Sequence, residues 1–122
     1  MTFFNKRCKS FKYAFAGIFY AFSTQPNVRI HSFAAIAALA GGCFLKISFV
    51  EWALIIFAIG SVLGAEIFNS SIEKLVDLVS PERQEKAGIV KDLSAGAVLI
   101  ASLMAFVIGS IIFIPKIIQF FS

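Results

Sequence analysis

From Leu93 to Ile114 the chain carries no charged residue. Coiled as an α-helix, a stretch of that length crosses a hydrocarbon core about 30 Å thick. Two further apolar stretches precede it, Ile30–Ile47 and Trp52–Ala65. Peptide groups find no water partner in lipid, so every crossing segment must satisfy its hydrogen bonds internally, as a helix. The expected fold class is therefore an all-α membrane protein. A composition of 59% hydrophobic and 15% charged residues in 122, with mean hydropathy +0.89, is too apolar for a soluble domain of this size.

Lys and Arg give the orientation. Lys6, Arg7, Lys9, Lys12 and Arg29 precede the first span, and Lys74, Arg83, Lys86 and Lys91 flank the second connection, whereas Lys46 and Lys116 alone mark the other side. The N-terminus and the Ser80–Lys91 loop are expected in the cytoplasm, with the chain multi-pass in the cytoplasmic (inner) membrane. The net charge of +4 then reflects topology and anionic headgroups and calls for no nucleic acid. The same topology separates Cys8 from Cys43, so no disulfide is expected, and no zinc site is supported.

Phe11, Phe15, Ile18 and Phe22 recur at helical spacing, with Lys9 and Lys12 off that stripe. This reads as an amphipathic helix lying in the interface rather than a signal peptide, because the next residues lead into another span. Gln25-Pro26 should end it. The expected layout is one domain over 1–122: surface helix 1–25, first span 28–47, second span with a cytoplasmic extension 50–79, and third span 87–119. The short Lys46–Glu51 connection makes a hairpin of the first two spans, and Gly41-Gly42 is expected to permit close helix packing.

The segment AEIFNSSIEKLVD, Ala65–Asp77, carries the chemistry. At 100° per residue, Glu66, Asn69, Ser70, Glu73 and Asp77 fall within roughly a 100° arc. Glu73 and Asp77 repel each other at i and i+4, which implies a compensating cation, most simply a divalent metal. If the helix enters near Glu51, Glu66 lies about 22 Å along it, near the cytoplasmic limit of the core and shielded from lipid, with Glu73 about 10 Å further out. That spacing suits phosphoryl transfer to a lipid alcohol, Glu66 accepting the hydroxyl proton and Glu73 binding a metal that neutralises phosphate charge. The plainer alternative is a solvated cytoplasmic helix extension.

Lys91-Asp92 opens the third helix on this reading. Asp92 is either its N-terminal cap or a group orienting a phosphate or ribose, and Lys91 either a topology marker or a phosphate ligand. No GxxxxGK[ST] or GxGxxG is present, so a nucleotide site must be unconventional. His31, without a paired His or Cys, reads as an interfacial hydrogen-bonding residue.

KSFKYAFAGI (Lys9–Ile18), NVRIH (Asn27–His31), AEIFNSSIEKLVD and KDLSAGAVLI (Lys91–Ile100) together resemble the bacterial integral-membrane diacylglycerol kinase and undecaprenol kinase family. The resemblance implies a homotrimeric helical bundle, each subunit with three spans and a surface helix, and composite active sites using MgATP. It implies Glu66 as catalytic base and Glu73 as metal and nucleotide ligand. Asn69, Asp77, Lys91 and Asp92 would surround ATP, with Arg7 and Tyr13 as further nucleotide contacts. Where the family commonly has a glutamate as second metal ligand for Mg²⁺, this chain has Gln25, which offers a carbonyl oxygen but no charge. The NVRIH and DLSAGAVL wording is nearer the undecaprenol branch, with diacylglycerol as the alternative lipid. A small proton-coupled exporter is the competing class, but it would need a fourth span and no such cytoplasmic cluster.

Overall fold

The computed structural model describes residues 2–82 and 84–122. These form four helices, α1 (Phe3–Thr24), α2 (Pro26–Leu45), α3 (Phe49–Val79) and α4 (Glu85–Phe121), of which α2, α3 and α4 are long and apolar enough to cross a membrane. The expected layout of a surface helix and three spans is present. Arg83, used above as a topology marker, lies outside the described residues.

Gln25 is extended (φ −108°, ψ 110°), and Pro26 takes the first position of α2, where its missing N–H leaves no hydrogen bond unmade. The first span therefore starts two residues before its expected position and ends at Lys46, which closes the helix in the left-handed region (φ 53°). Arg29 bridges the break: its Nε donates to the Phe22 carbonyl at 2.8 Å and its Nη2 to that of Ser23. These are exposed carbonyls at the end of α1 that its own ladder leaves unpaired. On α1, Phe11 and Phe15 are two-thirds exposed and only Ala21 is buried. The start of its aromatic stripe thus stays largely uncovered among the described residues, as suits a helix resting on acyl chains.

The α2–α3 hairpin is fixed at its turn. Ser48 Oγ accepts the Glu51 N–H at 3.2 Å and Glu51 Oε1 accepts the Ser48 N–H at 2.9 Å, a reciprocal cap that satisfies two of the free donors at the start of α3. Lys116 of α4 pairs with the same carboxylate at 3.3 Å. Below it Ile47, Ile55 and Ile112 form the buried cluster, flanked by Trp52, Ile108 and Phe113. Gly42 is buried against Trp52 and Ile47: a Cβ there would stand 2.7 Å from Trp52 Cη2. The close packing expected of Gly41-Gly42 is thus specific to the second glycine.

The most extensive helix pairing is α3 with α4. Helix α4 begins at Glu85, with Gln84 at the N-cap position but making no side-chain capping bond, which corrects the expectation that Lys91-Asp92 opens the third helix. Asp92 lies about two turns inside, so it is not an N-terminal cap, and its carboxylate needs another role.

Candidate functional site

Helix α3 runs unbroken from Phe49 through Val79, holding the acidic stripe in fixed register. Glu66 faces inward at 3% exposure, and His31 of α2 meets it, with 3.1 Å between His31 Nε2 and Glu66 Oε1. The expectation that Glu66 does not face lipid holds, and the imidazole gives the buried side chain a hydrogen-bond partner. One turn on, Asn69 is also buried. Its Nδ2 donates to Glu73 Oε1 at 3.3 Å, while its Oδ1 is buried with no hydrogen-bond partner among the described residues. A turn further, Lys91 of α4 donates to Asp77 Oδ1 at 2.7 Å, both groups being substantially exposed.

The cation expected to relieve the Glu73–Asp77 repulsion is thus, at Asp77, a lysine of the protein itself. The expected compensating cation is therefore met at Asp77 without a metal. Glu73, half-buried, accepts a hydrogen bond from the neutral Asn69 amide and has the Lys74 ammonium as a nearby positive charge. The orphaned Asn69 Oδ1 beside the Glu73 carboxylate is a pair of hard oxygen donors, the set Mg²⁺ accepts when water and phosphate oxygens complete its octahedron. The residues therefore fit a magnesium ion, although among the described residues no group of three or more His, Cys, Asp and Glu converges.

Two cavities lie at opposite ends of the stripe. The first, about 260 Å³ and apolar, is lined by His31, Ala34, Ala38, Ile55, Ala58 and Phe106 among others, all on the membrane side of Glu66. The second, about 570 Å³ and polar, lies between the end of α3 and the start of α4, with Asp77, Ser80, Gln84, Gly88, Lys91 and Asp92 in its wall. A buried carboxylate sits between an apolar space fit for a lipid chain and a polar one fit for a charged, water-borne group.

Gln25 and the α1 residues stand apart from this line. Gln25 lines a cleft between α1 and α3 with Tyr20, Ser70, Ser71 and Lys74, and Glu73 is not in its wall. The Lys74 ammonium lies over the Tyr20 ring, 5.0 Å from its centre, and as hydrogen-bond donor and nearby positive charge it holds the Tyr20 phenol below its ordinary pKa. Arg7 stacks on Phe3 at 4.8 Å, and Tyr13 is exposed. Among the described residues neither is hydrogen-bonded to the α3 stripe. His31 is the site residue that sequence reasoning undervalued. A single polar ring at the head of an apolar span, facing an intramembrane carboxylate in the next span, was the available signal.

The model of the family described as prokaryotic diacylglycerol kinase matches residues 12–113. The undecaprenol kinase of Bacillus subtilis is 37% identical over 112 residues, which cover 92% of this chain and 91% of that protein. A diacylglycerol kinase of Synechocystis is 37% identical over 111 residues, 90% of this chain and 63% of that protein. The diacylglycerol kinase of Escherichia coli is 32% identical over 104 residues, 85% of each. With the match spanning α2 and α3 and most of α4, the chain belongs to the prokaryotic diacylglycerol kinase family of membrane lipid kinases.

Proposed function

We propose that this lipid kinase transfers the γ-phosphate of MgATP to the hydroxyl of undecaprenol, working as a homotrimer in the cytoplasmic membrane with the polar cleft on the cytoplasmic side. The carrying observation is Glu66, buried, held by His31 and set between the apolar cavity and the polar cleft. Glu66 accepts the proton of the lipid hydroxyl as that oxygen bonds to the γ-phosphorus, and the bond from phosphorus to the β–γ bridging oxygen breaks to release ADP. Lys91 and Asp92 line the cleft that receives the nucleotide, and Lys91 exchanges part of its contact with Asp77 for phosphate oxygens. Glu73 and Asn69 would hold Mg²⁺. A bound magnesium ion supplies charge neutralisation for the triphosphate.

Orientation rests on the distribution of Lys and Arg. The trimer is supported by Gly60 and Gly64, a turn apart on α3, which have open space around them in the single subunit and would admit a neighbouring helix closely. In such an assembly Arg7 and Tyr13, remote from the stripe of their own subunit, are available to a partner's site. Undecaprenol is favoured by similarity covering nearly the full length of the Bacillus subtilis enzyme. Diacylglycerol is the second reading, since the Synechocystis enzyme is equally identical over its matched part.

The test is transfer of label from γ-³²P-ATP into the organic phase with undecaprenol or diacylglycerol in mixed micelles. Undecaprenol should give the higher kcat/KM. Higher kcat/KM with diacylglycerol would replace the first reading by the second. Glu66→Gln should assemble normally and lose at least about 100-fold in turnover, since the amide keeps the shape but cannot take the proton.

A further inference from the structure

We propose that His31 is a positioning residue for Glu66: through the 3.1 Å contact of its Nε2 with Oε1 it holds the carboxyl group turned so that Oε2 is left to receive the substrate proton. The proposal rests on the reading of Glu66 as the base. A buried polar side chain is costly to leave without a hydrogen-bond partner, and a partner on one oxygen also restricts how the group can turn. Glu66 is 3% exposed, and among the described residues His31 is its one hydrogen-bonding side chain. An Nε2–H donated to Oε1 supplies that partner and restrains the side chain's orientation.

The imidazole is itself firmly placed. It projects from the second turn of α2, whose first turn is tied down three ways. Val28 is fully buried, Ser32 Oγ donates to the Val28 carbonyl at 2.6 Å, and Arg29 is pinned to the last carbonyls of α1. The ring also walls the apolar cavity at the end nearest Glu66. A lipid chain lying there would bring its hydroxyl past the imidazole to the carboxyl group, so the ring separates the apolar space from the group it positions.

The experiment compares His31→Leu, His31→Gln and His31→Asn in the full-length protein in mixed micelles, with MgATP and either lipid. A Gln amide reaches as far as Nε2 and donates without being basic, Leu donates nothing, and Asn falls short. Loss of a buried group's hydrogen-bond partner predicts roughly a 10- to 100-fold fall in kcat for Leu and Asn. KM for MgATP should be unchanged, and Gln should recover most of the lost turnover. Turnover of His31→Leu within threefold of the unmodified protein overturns the proposal. So does a His31→Gln as impaired as His31→Leu, or a loss confined to KM for the lipid, which would make His31 a cavity wall only. If His31→Leu fails to assemble, the Gln and Asn variants decide between the same outcomes, equal activities refuting the role. Glu66→Gln is assayed alongside: full activity there removes the base assignment itself, whereas an inactive Glu66→Gln beside an unimpaired His31→Leu removes only the present proposal.

Discussion

Replacing each of the two adjacent glycines of α2 by alanine should have opposite effects, and the difference can be worked from the structure. Both substitutions gain the same intrinsic helix preference, at most about 1 kcal/mol, because alanine restricts the unfolded backbone more than glycine does. At Gly41 the new Cβ stands 3.5 Å from Phe113 Cε1, an ordinary van der Waals contact, so Gly41→Ala should be neutral or mildly stabilising. At Gly42 it stands 2.7 Å from Trp52 Cη2 and 3.0 Å from both Trp52 Cζ2 and Ile47 Cδ1. A rigid indole cannot yield at its rim without turning as a whole, and Ile47 closes the other side. Overpacking of this kind costs about 1–3 kcal/mol. Since the propensity gain cancels between the two variants, that cost is the expected difference between them, about 5- to 150-fold in the folding equilibrium. Equilibrium unfolding by SDS titration in mixed micelles, followed by far-UV circular dichroism, measures it. Trp52→Leu should remove most of the penalty of Gly42→Ala in a double-mutant cycle. Superimposable unfolding curves for the two alanine variants would falsify the packing argument, as would a cycle showing no coupling between positions 42 and 52.

Further expectations concern the proposed metal and assembly. Glu73→Gln should raise the Mg²⁺ concentration needed for half-maximal activity at saturating ATP, because the amide leaves Asn69 Oδ1 as a neutral oxygen without its charged neighbour; unchanged Mg²⁺ titrations would count against Glu73 as a ligand. Gln25→Glu should lower the same concentration if position 25 faces the metal, and identical curves would confine Gln25 to the α1–α3 cleft it lines. Inactive Glu66→Gln and Arg7→Ala proteins, refolded together, should regain activity if Arg7 serves a neighbouring subunit's site; verified mixed trimers that stay inactive would exclude that pairing.

The spans, the break at Gln25-Pro26 and the acidic face were legible in the sequence because each is a local property: runs of hydropathy, a ring without an N–H, and a 100° helical step. What escaped depended on packing between helices. His31 and Glu66 are thirty-five residues apart, and their meeting depends on how α2 is rotated against α3, which no periodicity within one helix determines. The Lys91–Asp77 pair has the same character. Read along α3 alone, two carboxylates a turn apart called for a cation, and the ammonium that answers Asp77 arrives from α4. Of the two readings of Asp92, the cap is excluded because α4 starts two turns earlier, after Gln84, whose side chain makes no capping hydrogen bond and so left no sequence signal.

The unbroken run of α3 has a consequence for how this site can vary. Glu66, Asn69, Glu73 and Asp77 share one continuous helix, with no joint to take up slack. Side chains along it can be exchanged one at a time, but the number of residues between them cannot change. One residue inserted between Glu66 and Glu73 would turn everything beyond it by about 100° and advance it by about 1.5 Å. Asn69 or Glu73 would swing off the common face, and Asp77 would lose its alignment with Lys91. The helix is a ruler whose graduations are its side chains: it keeps the buried Glu66 and the exposed Asp77 about three turns apart.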